Sequence, residues 1–236
     1  MEKINCKIIS VNCDDINVSK SVQEFGHVKN SDGNKSRYLD RRSKIKSFIE
    51  KTKVSNINFE IFDAVTPYDI SFYNGNVIFE MMKLPVIQED PFYVSNNLSH
   101  YKIWNIPEDT LILEDDILLE DDILDKILLS IDDFNKIDCD NKILYLQRSI
   151  PWIESLPDKS MVRKFSTSLV SESVSGDFSG TGAYFIKKEC KDILLKNMRG
   201  LCACDKYLNT LKEDGIIKYY IPDIDSMIKL DITSWL

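Results

Sequence analysis

Long apolar runs are missing from this chain. No stretch approaches the ~20 residues that a membrane-spanning helix requires. The opening Met1-Glu2-Lys3-Ile4-Asn5-Cys6-Lys7 leads directly into a strand-like segment and lacks the apolar core of a signal peptide. Export by that route is therefore not expected, and a cytoplasmic location is. An excess of basic residues is missing as well. Thirty Lys and Arg stand against 38 Asp and Glu, giving a net charge of −8 and a pI near 4.9. A general nucleic-acid binder, which must neutralise phosphates, is excluded on that balance.

Other absences narrow the chemistry. The six cysteines have no framework spacing, and Cys202-Ala203-Cys204 is their one close pair, so free thiols are expected rather than zinc or disulfides. Only two histidines, His27 and His100, could act as bases, and no G-x-S-x-G is present, so a serine or cysteine hydrolase lacks support. Asp138-Cys139-Asp140-Asn141 lacks the glycine and distal glutamate of an EF-hand. A nucleotidyltransferase would carry a glycine-rich basic loop after its first strand, where this chain has Asn12-Cys13-Asp14-Asp15.

What is there suits a globular protein. The 236 residues are 43% hydrophobic and 29% charged, enough for one large domain or two small ones. Lys7 to Asn12 reads as a first strand and Phe59 to Val65 as a second. Residues 13–40, polar and with little periodicity, read as a long loop or insertion, and Arg41 to Lys51 as a helix. Residues 68–95 look irregular, with Pro85 and Pro91 as breakers. Asn96 or Asn97 is the expected cap of a short helix carrying Leu98, Tyr101, Ile103 and Trp104, which Pro107 ends.

Thr110 to Leu113 and Lys142 to Leu146 have the character of buried strands, with a helix between them carrying Ile123, Leu124, Ile127, Leu128 and Ile131. Residues 151–175 read as an exposed loop with an extended segment. Ala183 to Ile186 is a strand, Lys188 to Asn197 and Asp205 to Leu211 are helices, and Ile216 to Ile221 is a late strand. Strands alternating with helices predict an α/β domain with a mostly parallel sheet.

Within that pattern one segment stands apart. Leu111-Ile112-Leu113 runs into three consecutive carboxylates, Glu114, Asp115 and Asp116, and Ile117-Leu118-Leu119 follows. Carboxylates crowded at roughly 4 Å repel by about 1 kcal/mol per pair in water and by several times that near a protein interior. A divalent cation with oxygen ligands is the expected source of compensation. In open α/β sheets ligands bind beyond the carboxyl ends of strands, which is where the triplet falls. On an extended chain Glu114 and Asp116 would share one face as metal ligands, and Asp115 would point away, to a ribose hydroxyl or a basic partner. The second acidic cluster, Glu120 to Asp122, is explained by the first turn of a helix.

Ser99-His100-Tyr101-Lys102-Ile103-Trp104, followed after a short gap by Leu111 to Asp116, resembles the signature of glycosyltransferase family 25, which includes lipooligosaccharide and procollagen galactosyltransferases. Val11-Asn12 with Asp40-Arg41-Arg42 is similar to the family's opening "INLDRR", split here by some 27 residues. Phe62 to Val65, Gly180 to Ile186 and Asp205 to Leu208 resemble later family segments. The lead before Ser99 departs from the family, with Val94-Ser95-Asn96-Asn97 in its place.

The resemblance implies a GT-A-type, Rossmann-like fold, with a nucleotide-binding half over about 1–120 and an acceptor-binding half over 121–236. It implies inverting transfer of a sugar, commonly galactose, from a UDP-sugar to a hydroxyl on a glycan or protein. Manganese (or magnesium) would be held by Glu114 and Asp116, with Asn12, Arg41, Ser99, His100 and Asp115 toward the nucleotide sugar. Inversion needs a carboxylate base opposite the leaving group, for which Asp205 is the first candidate and Asp177 the second. His100 has an alternative reading as a structural hydrogen-bonding residue, and Trp104 reads as core. Asp223 and Asp225 are weaker candidates for completing a metal shell. A catalytically degenerate, glycosyltransferase-like binding domain stays open at this point.

Overall fold

The computed structural model describes residues 3–25, 32–52, 56–67, 69, 91–118, 121–147, 163–165, 169–173, 180–200, 202–222 and 227–228. Eight strands form one sheet: β1 (Ile4–Ser10), β2 (Ile57–Asp63), β3 (Thr110–Glu114), β4 (Lys142–Tyr145), β5 (Arg163–Phe165), β6 (Val170–Ser173), β7 (Ala183–Ile186) and β8 (Lys218–Pro222), in the order β2-β1-β3-β7-β4-β8-β6-β5. Among the described residues six helices accompany them: α1 (Ile16–Phe25), α2 (Asp32–Lys51), α3 (Pro91–Trp104), α4 (Asp121–Asn135), α5 (Lys188–Asn197) and α6 (Cys204–Glu213).

Alternate residues of the central strands feed two cores. Ile9, Ile112, Ile143 and Tyr184 pack with Leu98 and Trp104 of α3, Leu194 of α5 and Leu208 of α6. Ile8, Leu111, Leu113, Leu144 and Phe185 face the other way, against Ile45 of α2 and Leu124, Ile127 and Phe134 of α4. This two-sided burial is why β3 and β4 read as continuous apolar runs. The result is a three-layer α/β domain. Among the described residues no helix is long and apolar enough to cross a membrane.

The sheet is mixed rather than mostly parallel. Among the described residues β1–β2, β1–β3 and β4–β8 are parallel, whereas β3–β7, β4–β7, β6–β8 and β5–β6 are antiparallel. A strand buried on both faces is apolar throughout whichever way it runs, so Ala183 to Ile186 carried no mark of its reversed direction. That reversal has a consequence for β3. Leu113 pairs with Ala183, and the loop entering β7 therefore lies at the carboxyl end of β3.

Two further expectations are corrected. Residues 13–40 are not simply a loop: α1 begins just after Asp15, whose Oδ1 accepts from Asn17 N at 2.7 Å as an N-terminal cap, and α2 starts at Asp32 rather than Arg41. Polar composition concealed α2 because few of its described side chains, among them Tyr38, Arg41 and Ile45, are buried. Asn96 and Asn97 are not caps either. Pro91 opens α3, with its fixed φ suited to a first helical position, and the asparagines lie mid-helix. Pro85, Glu120, Asp177, Asp223 and Asp225 lie outside the described residues, as does most of 151–175.

Two buried lysines tie helix ends to the sheet. Lys142 Nζ donates to Phe134 O at 2.7 Å and to Ile137 O, at the end of α4. Lys191 Nζ reaches Ile106 O at 3.1 Å, Glu108 O at 2.7 Å and Thr110 Oγ1 at 2.6 Å, in the turn between α3 and β3. Burial pushes the Lys191 amine down to about 8, so an ammonium still supplies these donors at neutral pH. This contact fixes the approach to β3, and hence the position of the triplet. Lys191→Met is expected to cost about 2–4 kcal/mol in urea denaturation, because it orphans buried acceptors. Lys188→Met, on the exposed side of the same helix, should cost less than about 0.5 kcal/mol.

Candidate functional site

The carboxyl ends of β1 and β3 open into a pocket. Ile9 and Val11 form its floor with Ala64 and Val65, which follow β2. Arg37, Tyr38 and Arg41 of α2 form one wall, and Ser95, Asn96 and Ser99 of α3 another. Glu114, Asp115 and Asp116 all line it. The extended-chain geometry expected of the triplet does not hold, because β3 ends at Glu114 and Asp115 and Asp116 lie in a turn. Asp115 therefore faces the same pocket as its neighbours rather than the opposite side.

Each carboxylate has a different environment. Glu114 Oε1 is shared by three groups: His100 Nε2 at 3.0 Å, Thr181 Oγ1 at 2.7 Å and Asn96 Nδ2 at 3.2 Å. Burial opposes ionisation of Glu114, but the hydrogen bonds from His100, Thr181 and Asn96 outweigh it and hold the carboxyl below its usual value. Asp115 sits 3.6 Å from the Arg41 guanidinium, yet burial still lifts its pKa. Asp116, 8% exposed, is pushed up to about 7 by burial and by the Glu114 charge, with Arg41 opposing. Asp115 Oδ2 and Asp116 Oδ1 are buried and accept no hydrogen bond among the described residues.

His100 is fully buried and does not line the pocket. Trp104 Nε1 donates to the Tyr184 hydroxyl at 3.0 Å, and that hydroxyl lies 2.8 Å from His100 Nδ1. One proton assignment satisfies every group: Tyr184 donates to Nδ1, and Nε2–H donates to Glu114. The hydrogen-bond partners of His100 are thus Tyr184 and Glu114 rather than a backbone carbonyl. Trp104 is core, as expected. Ser99 is buried, accepting from Val65 N and donating to Ser95 O, both at 2.9 Å, so it holds the segment after β2 against α3.

The split opening segment is reunited in space. α2 returns Arg42 to the end of β1, where it donates to Ser10 O at 3.2 Å and to Asp63 Oδ1 at 2.7 Å. Arg41, one residue earlier, reaches the pocket. Asn12 bonds Asp63 at 3.3 Å and does not line the pocket. Asp205 lies outside it too, its Oδ2 accepting from Gly180 N at 3.0 Å. Gly180 needs its φ of +81°, and a Cβ there would come within 2.8 Å of the Gln147 side chain. Thr181, next along this loop, is the residue that bonds Glu114.

Sequence reasoning missed Arg37, Tyr38, Asn96 and Thr181. The first two sit three and four positions before Arg41, a helical spacing that would have been legible had α2 been extended back to Asp32. The family model described as glycosyltransferase family 25 (LPS biosynthesis protein) matches residues 34–208. The chain belongs to glycosyltransferase family 25. It is a glycosyltransferase by that membership, with a sugar donor and an acceptor. No curated protein matches the chain. The family 25 match begins inside α2, so β1 and α1 lie outside it although β1 supplies part of the pocket floor.

The electrostatics of the metal-free pocket make a prediction. Above about pH 7 Asp116 is charged in both folded and unfolded chains, and its burial is a cost. Between about 7 and its ordinary 3.8 the folded chain keeps a proton that the unfolded chain has released, so this cost is relieved as pH falls. Asp116→Asn should therefore stabilise the metal-free protein at pH 8 by about 1–3 kcal/mol. In denaturant titrations across pH the gain should shrink toward zero near pH 4.

Proposed function

We propose that this family 25 glycosyltransferase is an inverting, divalent-cation-dependent enzyme. It moves a hexose, galactose in the first instance, from a UDP-sugar to a hydroxyl of a glycan or protein. The observation that carries this reading is the pocket of mixed charge at the ends of β1 and β3, lined by three carboxylates and by Arg37 and Arg41. A cation bridged to a diphosphate is complementary to both.

The donor set fits a hard divalent cation. Asp116 Oδ1 and Asp115 Oδ2 are buried oxygens without hydrogen-bond partners among the described residues, as a ligand position requires. Glu114 Oε1 is already committed to His100, Thr181 and Asn96, so we assign Glu114 mainly to shaping the site, with Asp116 and Asp115 as principal ligands. This modifies the pairing of Glu114 with Asp116 expected from sequence. Manganese or magnesium, when bound, neutralises charge that builds on the departing diphosphate.

The remaining roles belong to the protein. Arg41, 3.6 Å from Asp115 and with its guanidinium 5.7 Å from the centre of the Tyr38 ring, offsets the triplet's charge and orients Asp115. Ala64, Val65 and Ile9 give the apolar surface on which a nucleoside can lie. Asp205 is our candidate for the base that accepts the acceptor hydroxyl's proton. It is half-buried, and Gly180, which it bonds, adjoins the Thr181 that touches Glu114. Its position beside that loop, apart from the triplet, supports the assignment.

Mn²⁺-dependent binding of UDP, measured by calorimetry, is the direct test, and its absence at millimolar ligand would overturn the enzyme reading in favour of a degenerate binding domain. Asp116→Ala should abolish the metal-dependent part of UDP binding. Asp205→Asn should leave UDP affinity within about twofold while transfer falls by about 10²-fold or more. Equal loss of binding in both variants would remove Asp205 from the role of base.

A further inference from the structure

Arg37 lies one helical turn before Arg41 on α2, and both side chains line the pocket. Their situations differ. Arg41 is nearly buried, close to Asp115 and the Tyr38 ring, and is the cation that balances the triplet. Arg37 is half-buried, and among the described residues no ion pair or hydrogen bond engages its guanidinium. Asp115 already has Arg41 beside it, and Glu114 is held by His100, Thr181 and Asn96. The protein has thus brought a second guanidinium to a pocket whose acidic groups do not use it.

A planar fork of five donors held at a pocket wall is matched to an oxyanion, and best to phosphate, which accepts it in bidentate fashion. The spacing supports a polyanion. Side chains four apart on a helix stand about 6 Å apart at their Cβ atoms, a separation that two linked phosphates can span. Burial holds the Tyr38 phenol at about 12, so the residue between the two arginines on this face stays neutral and does not compete as an anion.

We propose that Arg37 is a diphosphate-binding residue for the sugar donor, forming with Arg41 an i,i+4 guanidinium pair in the same pocket as the three carboxylates. This rests on the UDP-sugar reading above and adds a named residue, outside the Asp40-Arg41-Arg42 segment, to donor recognition. In this arrangement Arg41 is positioned by the protein and Arg37 by the ligand. Arg37 therefore discriminates ligands by their phosphate count.

The test is calorimetric titration of UDP and of uridine, each with Mn²⁺, against the wild-type chain, Arg37→Ala and Arg37→Lys. Thermal midpoints would be recorded alongside. The expected result is a loss of UDP affinity of about tenfold or more in Arg37→Ala, partial recovery in Arg37→Lys, and uridine affinity within about twofold throughout. A UDP loss smaller than about fivefold overturns the role of Arg37 while leaving the donor reading intact, because the wild-type chain still binds. A loss of equal size for UDP and uridine overturns it as well, since the effect is then on the pocket as a whole. If the wild-type chain binds no UDP, the donor reading fails first and the Arg37 assignment falls with it.

Discussion

Glu114 is a half-buried carboxylate at the pocket, and the three hydrogen bonds that hold it organise the site. Charge-assisted hydrogen bonds of this kind are worth about 1.5–3 kcal/mol each, whereas an uncompensated buried carboxylate costs several kcal/mol. Its three donors come from two places: His100 and Asn96 from α3, and Thr181 from the loop entering β7. Glu114 itself ends β3. One carboxylate therefore fastens a helix, a strand end and a loop together, and each can move only by breaking a buried ionic hydrogen bond. Behind it, Tyr184 and Trp104 fix the His100 ring, so the anchor is itself anchored in core.

This constraint gives Glu114 the donors that its neighbouring aspartates do not share. Once Glu114 is held, Asp115 and Asp116 are placed by the turn that leaves the strand. They are buried by the same packing, but Asp115 Oδ2 and Asp116 Oδ1 are left without protein donors among the described residues. A raised Asp116 beside a lowered Glu114 follows from that division of labour. Two carboxyl groups two residues apart are driven in opposite directions because one received the donors and the other received the burial and its neighbour's charge.

The legible part of this arrangement was the part written locally. An apolar run that meets carboxylates reads as a strand reaching its end, and the β3 assignment followed. The amphipathic stripe of α4 was equally plain. What escaped depended on distant partners. The reversal of β7 left no trace in Ala183 to Ile186, because double-sided burial asks for the same residues in either direction. Thr181 could not be assigned to Glu114 without that reversal, since only an antiparallel β7 brings the start of its strand to the end of β3. The first half of α2, before Arg41, was hidden for a different reason. Its inward face carries Tyr38 and Arg41 where a core helix would carry aliphatics, so a pattern search that counts apolar residues passes over it.

That same helix accounts for the most unusual feature of the sequence, the separation of Val11-Asn12 from Asp40-Arg41-Arg42. In the folded chain the distance is closed, because α1 and α2 form a helical excursion that leaves the end of β1 and returns to it. Arg42 then bonds Ser10 O, the last carbonyl of that strand, and Asp63, the last residue of β2. The return point is thereby fixed at the sheet edge of the pocket rather than at the helix's exposed side. An excursion that returns as a helix also does something a direct strand-to-arginine turn cannot. It presents a second position, one turn earlier, to the same pocket, and the residue at that position is Arg37.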